Sequence, residues 1–313
     1  MCWNGYLCFL MTIGDKIIDR RIKWIISFLI LVLCLMLGAG LMQGVLYLNG
    51  IKITDQHNLI SLLDDAENRW VIRMAFGFSH IAGFILSSLL IGKLWGMLGF
   101  QQWKQWVKNF HISPLSLWLM LLVLCYPIAG LLGYLAGQIH LPNWLSEVED
   151  SSYKALEGLI SMENIGQLMG NLFVIAIIPA IGEEMFFRGV VQNLLQKKYT
   201  QPGLVIFLSA FIFAAFHLQF VGFFPKLIIG LVLAASFFYT RNLLYPILIH
   251  LLNNGFQVVL AYLRPEQVSA RQEVAEMTPS QVAIVLLTVP LIGLLFQYII
   301  KNYKHGGSIK NEA

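Results

Sequence analysis

Five polar or ionisable residues stand out because each lies inside or at the end of a long apolar run: Glu183, Glu184, His217, His250 and Asn254. A carboxylate or an imidazole at membrane depth costs free energy, so such residues usually face a cavity, pair with one another and mark a functional site. Their types favour acid–base chemistry, because buried carboxylates and imidazoles can exchange protons near neutral pH.

Two adjacent glutamates end one apolar run, and Arg188 follows Glu184 by four residues. On a helix these two positions share a face, so we expect an ion pair between Glu184 and Arg188, whereas Glu183 is rotated by about 100° and points elsewhere. Partly desolvated Glu183 then stays available to accept a proton. The alternative is a helix end whose carboxylates simply face interfacial water.

His250 and Asn254 are four residues apart, so both side chains project from one helical face and can contact one bound group. A neutral imidazole and an amide can both donate hydrogen bonds, and in a dry cavity they would stabilise the oxyanion of an attacked peptide carbonyl. Glu183 and His217 are then left to orient and deprotonate a water. Two alternatives stay open: His217 at a membrane interface, and Asn254 as a hydrogen bond between helices.

The elements that must position these residues are membrane helices. The chain is 58% hydrophobic and only 12% charged, against roughly a quarter charged in soluble domains. Its apolar runs divide into eight segments near the roughly 20 residues that span a bilayer as helix, and continuous runs exclude the alternating strands of a barrel. We therefore predict an all-α polytopic membrane protein with about eight transmembrane helices. The predicted spans are 25–48, 74–98, 114–137, 166–184, 203–219, 224–240, 243–262 and 280–300.

Orientation follows from the Lys and Arg residues, which concentrate in the N-terminal segment, in alternate loops and in the C-terminal tail. By the positive-inside rule both termini are cytoplasmic. The formal charge of +4 therefore reflects topology and not a nucleic-acid partner. We expect an integral protein of a bacterial cytoplasmic membrane, with its site open toward the cytoplasm.

Three further expectations concern the supporting elements. Counting about 1.5 Å per residue, His217 lies roughly 22 Å from Pro202 and His250 roughly 14 Å from Arg241, so either the fifth helix tilts or segment 185–200 lies partly in the membrane. The loop at 138–165 is predicted as a solvated connector in preference to a short amphipathic helix. His80, inside the second span, has no partner motif and is interpreted as structural or interfacial.

The motifs together carry a family resemblance. Glu-Glu-x-x-x-Arg, Phe-x-x-x-His and His-x-x-x-Asn occur in that order, with Pro179 before the glutamates and Phe187-Arg188-Gly189 after them. This set resembles the CPBP family of intramembrane proteases, also called the CAAX protease or Abi family, which includes the prenyl-protein endopeptidases that trim CAAX termini. The resemblance covers about residues 175–255.

The resemblance implies a glutamate-type intramembrane endopeptidase. Glu183 would be the general base, His217 would help to position the water, and His250 with Asn254 would form the oxyanion hole. Glu184 and Arg188 would shape and neutralise the site. The implied partners are membrane lipids and a hydrophobic or lipidated peptide or protein substrate, with prenylated CAAX-type proteins among the candidates.

The resemblance also divides the chain into three parts. Residues 1–165 would hold three N-terminal spans with an outer loop, residues 166–262 a four-span catalytic core, and residues 263–313 the last span with a cytoplasmic tail.

No cofactor is expected, and zinc is kept as an open alternative because Glu183, His217 and His250 are a plausible ligand set. Against zinc, no H-E-x-x-H spacing is present, and an Asn amide is an uncommon zinc ligand. Two other functions stay open: a non-catalytic bacteriocin self-immunity or protein-maturation factor, and a proton-coupled transporter, since buried Glu and His also serve pumps. The transporter is disfavoured because no interrupted helices recur in matching halves.

Overall fold

The computed structural model describes residues 20–265 and 278–303, so the start of the N-terminal part and residues 304–313 of the predicted tail lie outside it. The described residues form helices and connections, without β-strands. The helices are α1 (Arg20–Leu48), α2 (Gln56–Asp64), α3 (Ala66–Leu94), α4 (Phe100–Lys108), α5 (Ile112–Gly137), α6 (Asn143–Ile160), α7 (Ile165–Lys198), α8 (Pro202–Phe216), α9 (Phe223–Thr240), α10 (Leu244–Leu263) and α11 (Pro279–Tyr303).

Seven of these helices are long and apolar enough to cross a membrane, counted over the described residues: α1, α3, α5, α7, α9, α10 and α11. Much of their outer surface is apolar, and on α11 Leu286 is 68% and Leu287 is 67% exposed. Such a surface suits lipid rather than water. The prediction of an all-helical, polytopic membrane protein is therefore confirmed.

The eighth apolar segment, α8, has 15 residues, or about 22 Å of helix. The direction of α8 follows from two hydrogen bonds between its neighbours α7 and α9. Arg188 Nη2 donates to Gly230 O, and four residues later on both helices Gln192 Nε2 donates to Ala234 O. Helices α7 and α9 thus run in the same direction. Because α8 joins them, it must return the chain across the bundle, and all eight predicted segments are helical.

The largest boundary error lies at the end of the fourth span. The fourth span was expected to end at residue 184, but α7 continues to Lys198, through Glu183, Glu184 and Arg188. Glu183 therefore lies 15 residues before Lys198, and His217 lies 15 residues after Pro202. At about 1.5 Å per residue Glu183 and His217 lie at similar distances from the connection between α7 and α8. The continuation of the helix through residues 185–198 agrees with the second alternative, a misplaced boundary, whereas the mismatch between His217 and His250 stays a prediction.

The segment before α7 also differs from its prediction. Most of the predicted connector at 138–165 is a helix, α6, which packs on α2 and on the start of α3. Glu149, on the buried face of α6, accepts a hydrogen bond of 2.8 Å from the Val221 backbone N–H. The burial of this face supplies the stabilisation that a solvated connector would lack.

The helices around Glu183 and Glu184 pack closely because glycines remove side chains at the contacts. A methyl group at Gly182 would lie 3.1 Å from Phe84 Cβ, and one at Gly230 would lie 3.3 Å from Ala210 Cα. Aromatic rings fill the remaining space, with Phe187 0% exposed beside Phe213. Helices α3, α7, α8, α9 and α10 thereby surround one buried polar cluster.

Candidate active site

Glu184 and Arg188 form the ion pair that their spacing predicted. Arg188 Nη1 donates to Glu184 Oε1 at 2.7 Å, and neither side chain is exposed. The second arm of the guanidinium reaches Gly230 O, and its plane stacks 4.6 Å above the Phe213 ring. The cation is thus held by a carboxylate, a carbonyl and an aromatic face, which is the kind of partnering that buried charges require.

His250 also binds Glu184, with Nδ1 2.8 Å from the same carboxylate oxygen that accepts from Arg188. An ionised carboxylate only accepts, so Nδ1 carries the proton in this contact. His250 Nε2 can then donate only when the ring is an imidazolium. With Nδ1–H on Glu184, the predicted donation to an oxyanion needs the charged ring.

Glu183 points away from Glu184, as predicted, and its carboxylate is divided between two environments. Oε1 lies 3.1 Å from His80 Nε2. Oε2 is buried and has no hydrogen-bond partner among the described residues. Glu183 also lies within electrostatic range of His217 and His250. One carboxylate oxygen is therefore held, and the other is left as an acceptor.

The contact between His80 and Glu183 was missed by the sequence analysis, which interpreted His80 as structural or interfacial. No motif surrounds this histidine, and 103 residues separate the pair. One indication of its role was present in the sequence: His80 is an imidazole in the middle of an apolar span. Ionisable side chains at membrane depth usually mark a functional site, as argued for the glutamates.

His217 caps the end of α8, where its Nδ1 donates to Phe213 O at 2.9 Å. This contact fixes the tautomer, because a carbonyl oxygen can only accept. Nε2 of the neutral ring is then an acceptor. The Phe213 ring lies between the two histidines, 4.9 Å from the His217 ring and 5.9 Å from the His250 ring.

Asn254 lies one turn beyond His250 and is bonded to other groups. Its Nδ2 donates to Ile175 O at 3.3 Å, and its Oδ1 accepts from Asn253 Nδ2 at 3.0 Å. Asn253 Oδ1 in turn accepts from the Tyr126 hydroxyl at 2.8 Å. These hydrogen bonds link α5, α10 and α7. Asn254 thus makes the contact between helices that was one of its two predicted roles. One amide hydrogen of Asn254 remains for another acceptor.

Three π-helical turns adjoin these residues. Ile81–Leu86 follows His80, Leu172–Ile177 contains the carbonyl bound by Asn254, and Phe187–Gln192 contains Arg188. A π-turn widens the helix by one residue and changes the direction of the side chains near it, and such turns are frequent at functional sites. Each of the three thus helps to direct a polar group toward the cluster.

The proposed metal ligands do not form a metal site here. Across residues 20–265 and 278–303, no three His, Cys, Asp or Glu side chains are grouped so that they could hold one metal ion. The Nδ1 atoms of His217 and His250 are also engaged elsewhere. If zinc did bind, it would be held by Nε2 of His217, Nε2 of His250 and Oε2 of Glu183. It would then act as a Lewis acid on water.

Comparison with known proteins is consistent with this cluster. Residues 165–256 match a family model described as type II CAAX prenyl endopeptidase Rce1-like. The chain is also 33% identical to the membrane-embedded CAAX protease MroQ of Staphylococcus aureus (strain USA300) over 110 residues, which cover 33% of this chain and 44% of that relative. The chain thus aligns with less than half of this relative's length, and no solved structure matches it.

The matched segment contains the polar residues predicted for the site but not His80. These residues are Glu183, Glu184, Arg188, His217, His250 and Asn254. Over this segment the chain is similar to the CAAX protease (CPBP) family.

Proposed function

We propose that this chain is an intramembrane endopeptidase that hydrolyses a peptide bond of a membrane-associated substrate, with Glu183 as the general base. One observation carries the proposal: among the described residues, the buried Glu183 carboxylate has one oxygen held by a histidine and the other without a partner, and it lacks the arginine ion pair of Glu184, inside the segment that matches the family. Such an oxygen can accept a proton from a water molecule.

The reaction then needs two proton movements. Glu183 Oε2 takes a proton from water while the water oxygen attacks the peptide carbonyl carbon and the carbonyl oxygen becomes an oxyanion. When the C–N bond breaks, the proton on Glu183 passes to the leaving nitrogen. A carboxylic acid and an amine result, and the glutamate is regenerated.

The neighbouring groups complete this scheme. His217 Nε2 is an acceptor and can hold the second hydrogen of the water, because Nδ1 is fixed on Phe213 O. His250, as an imidazolium supported by the Glu184 carboxylate, can donate to the oxyanion. The remaining amide hydrogen of Asn254 is assigned to the same oxyanion. Arg188 holds Glu184 through the buried ion pair of 2.7 Å.

We further propose that the substrate is lipidated, with prenylated CAAX-type proteins as the first class to test. The family description and the name of the staphylococcal relative both refer to CAAX substrates. The apolar exterior of the bundle would let a lipid anchor reach the site through the bilayer. A bacterial cytoplasmic membrane with both termini in the cytoplasm is proposed from the basic loops, and reporter fusions at the two termini would test it.

The test of the function is cleavage by purified protein in proteoliposomes that contain a prenylated peptide ending in a CAAX sequence. Glu183→Gln keeps the shape of the side chain and removes the base, so cleavage should fall by about 10²-fold or more. Glu147→Gln, an exposed glutamate on α6, is the matched control and should cleave like the native protein. Full cleavage by the Glu183 variant would rule out the mechanism.

A second experiment addresses the natural substrate. Membrane-protein termini that change in cells when only Glu183 is replaced identify the cleaved bond directly. If no terminus changes while a cellular phenotype of the protein persists in the variant, the non-catalytic self-immunity or maturation role would be favoured instead.

A further inference from the structure

We infer that His80 is a positioning residue for Glu183: its Nε2–H holds Oε1 and so directs Oε2 toward the attacking water. This inference rests on the proposed function and extends it to the N-terminal part of the chain, because His80 lies outside residues 165–256 that match the family. The catalytic unit would then need a residue from α3 in addition to α7, α8 and α10.

The hydrogen bond is the first argument. His80 Nε2 lies 3.1 Å from Glu183 Oε1, and the two side chains are 27% and 10% exposed. Arg188, His217, His250 and Lys226 also lie within electrostatic range of this carboxylate. In the described part of the chain, however, His80 alone donates a hydrogen bond to Glu183. The orientation of the carboxylate therefore depends on this imidazole.

The packing of the imidazole is the second argument. Its ring lies 4.6 Å from the Phe84 ring, which in turn contacts Phe186 at 6.0 Å and Phe216 at 5.4 Å. These aromatic contacts restrict the rotation of the His80 ring. A donor whose position is fixed by packing holds its acceptor in one geometry, as a positioned general base requires.

The backbone is the third argument. Helix α3 changes from α to π geometry directly after His80, at Ile81–Leu86. That π-turn approaches α7 at Gly182, where a methyl group would lie 3.1 Å from both Phe84 Cβ and Ile85 Cγ1. The residue next to Glu183 thus permits the close helix contact that brings His80 within reach.

The chemical consequence is an inequivalence of the two carboxylate oxygens. Oε1 stays bonded to His80 throughout, while Oε2 takes the proton from water and later releases it to the leaving nitrogen. His80 neither gains nor loses a proton in this cycle. Its loss would leave a second buried oxygen without a partner and would allow the carboxylate to rotate, so the turnover rate should fall while substrate binding is unaffected.

The experiment uses the full chain in proteoliposomes with the prenylated CAAX peptide, and rates are normalised to the folded fraction. His80→Gln places an amide N–H near the position of Nε2, whereas His80→Met has similar length and no donor. We expect the Met variant to lose about ten- to a hundredfold in kcat with KM unchanged, and the Gln variant to recover most of it. His140→Gln, an exposed histidine, is the control and should leave kcat unchanged.

His80→Asn is a second variant, and it tests the inference even if His80→Met does not fold. Its amide is one methylene too short to reach Oε1, so its kcat should fall as in the Met variant while polarity is retained. Native kcat in both the Met and Asn variants would overturn the inference. Equal losses in the Gln and Met variants, with a lowered melting temperature in both, would also overturn it, because they would make His80 purely structural.

These outcomes are separable from failure of the proposed function. If Glu183→Gln is inactive while His80→Met is fully active, only the inference about His80 fails. If Glu183→Gln is itself active, the general-base mechanism fails as well.

Discussion

Helix α3 meets buried charge at two places, and the two places use it differently. Near its start, Arg69 and Arg73 bind the connector between α6 and α7: Arg73 Nε donates to Leu159 O at 2.8 Å, and Arg69 Nη1 donates to Ser161 Oγ at 2.9 Å. We call this pair the connector arginines. About two turns further along, in the middle of α3, His80 contacts Glu183.

The difference lies in which groups carry the charge. The connector arginines are cations that donate mainly to main-chain and hydroxyl oxygens, with one ion pair to the exposed Glu163, so their bonds hold a chain segment in place. The glutamates are acceptors among histidines, and each keeps one buried oxygen without a protein partner. Buried donors that hold backbone are structural. Glu184 is also tied to Arg188, whereas Glu183 has no such arginine partner among the described residues and is the acceptor that we assign to proton transfer.

Arg188→Met should have the largest effect, because it removes the arginine from the buried Glu184 carboxylate and leaves only His250 bound to it. We expect a loss of about 3–5 kcal/mol in the free energy of unfolding, with little folded protein remaining. Chemical unfolding in detergent measures it. Lys301→Met, an exposed site at the end of α11, is the control for removing a cation. A native unfolding free energy for the Arg188 variant would contradict the role assigned to the ion pair.

His217→Asn should come next, and it should affect chemistry rather than stability. The Asn amide can replace Nδ1 as donor to Phe213 O, but it has no group at the position of Nε2. We expect kcat to fall by about 10²-fold with a nearly native melting temperature. The account of His217 fails if kcat is unchanged, or if the loss only follows unfolding.

Arg73→Met tests the connector arginines near the start of α3. Its hydrogen bonds to Leu159 O and Ser161 O would be lost, so the unfolding free energy should fall by about 2–3 kcal/mol. The kcat of the folded fraction should stay native, because no hydrogen bond or ion pair in the described part of the chain joins Arg73 to Glu183 or Glu184. A fall in kcat at constant folded fraction would show that the connector takes part in catalysis.

Metal removal should have the smallest effect. Because both Nδ1 atoms of the site histidines are engaged and no metal-ligand group is formed by the described residues, dialysis against a strong chelator should leave the cleavage rate unchanged. The rate is compared with and without added Zn²⁺. Loss of cleavage that added Zn²⁺ restores would contradict this prediction and would show that the reaction requires a metal ion.

The sequence predicted local features well because they depend on nearby residues. Eight apolar runs became helices, and the pairing of Glu184 with Arg188 follows from a spacing of one helical turn. The end of α7 was misplaced at 184 because charges normally end a span, and here three of them are buried by other helices.

The contacts across helices were not predictable from spacing. His80 and Glu183 are 103 residues apart, and His250 and Glu184 are 66 apart, so only the folded arrangement joins them. The prediction grouped His250 with Asn254 because they share one helical face. In the structure the two side chains have different partners, since His250 binds Glu184 and Asn254 binds Ile175 O.

The central claim is that the two adjacent glutamates perform different tasks, and a paired measurement tests it most directly. Glu183→Gln and Glu184→Gln are compared for single-turnover cleavage per folded molecule and for melting temperature. We predict a native melting temperature with cleavage lost for the first, and a clearly lowered melting temperature for the second. Cleavage that survives in folded Glu183→Gln, or a fully stable Glu184→Gln, would contradict the account.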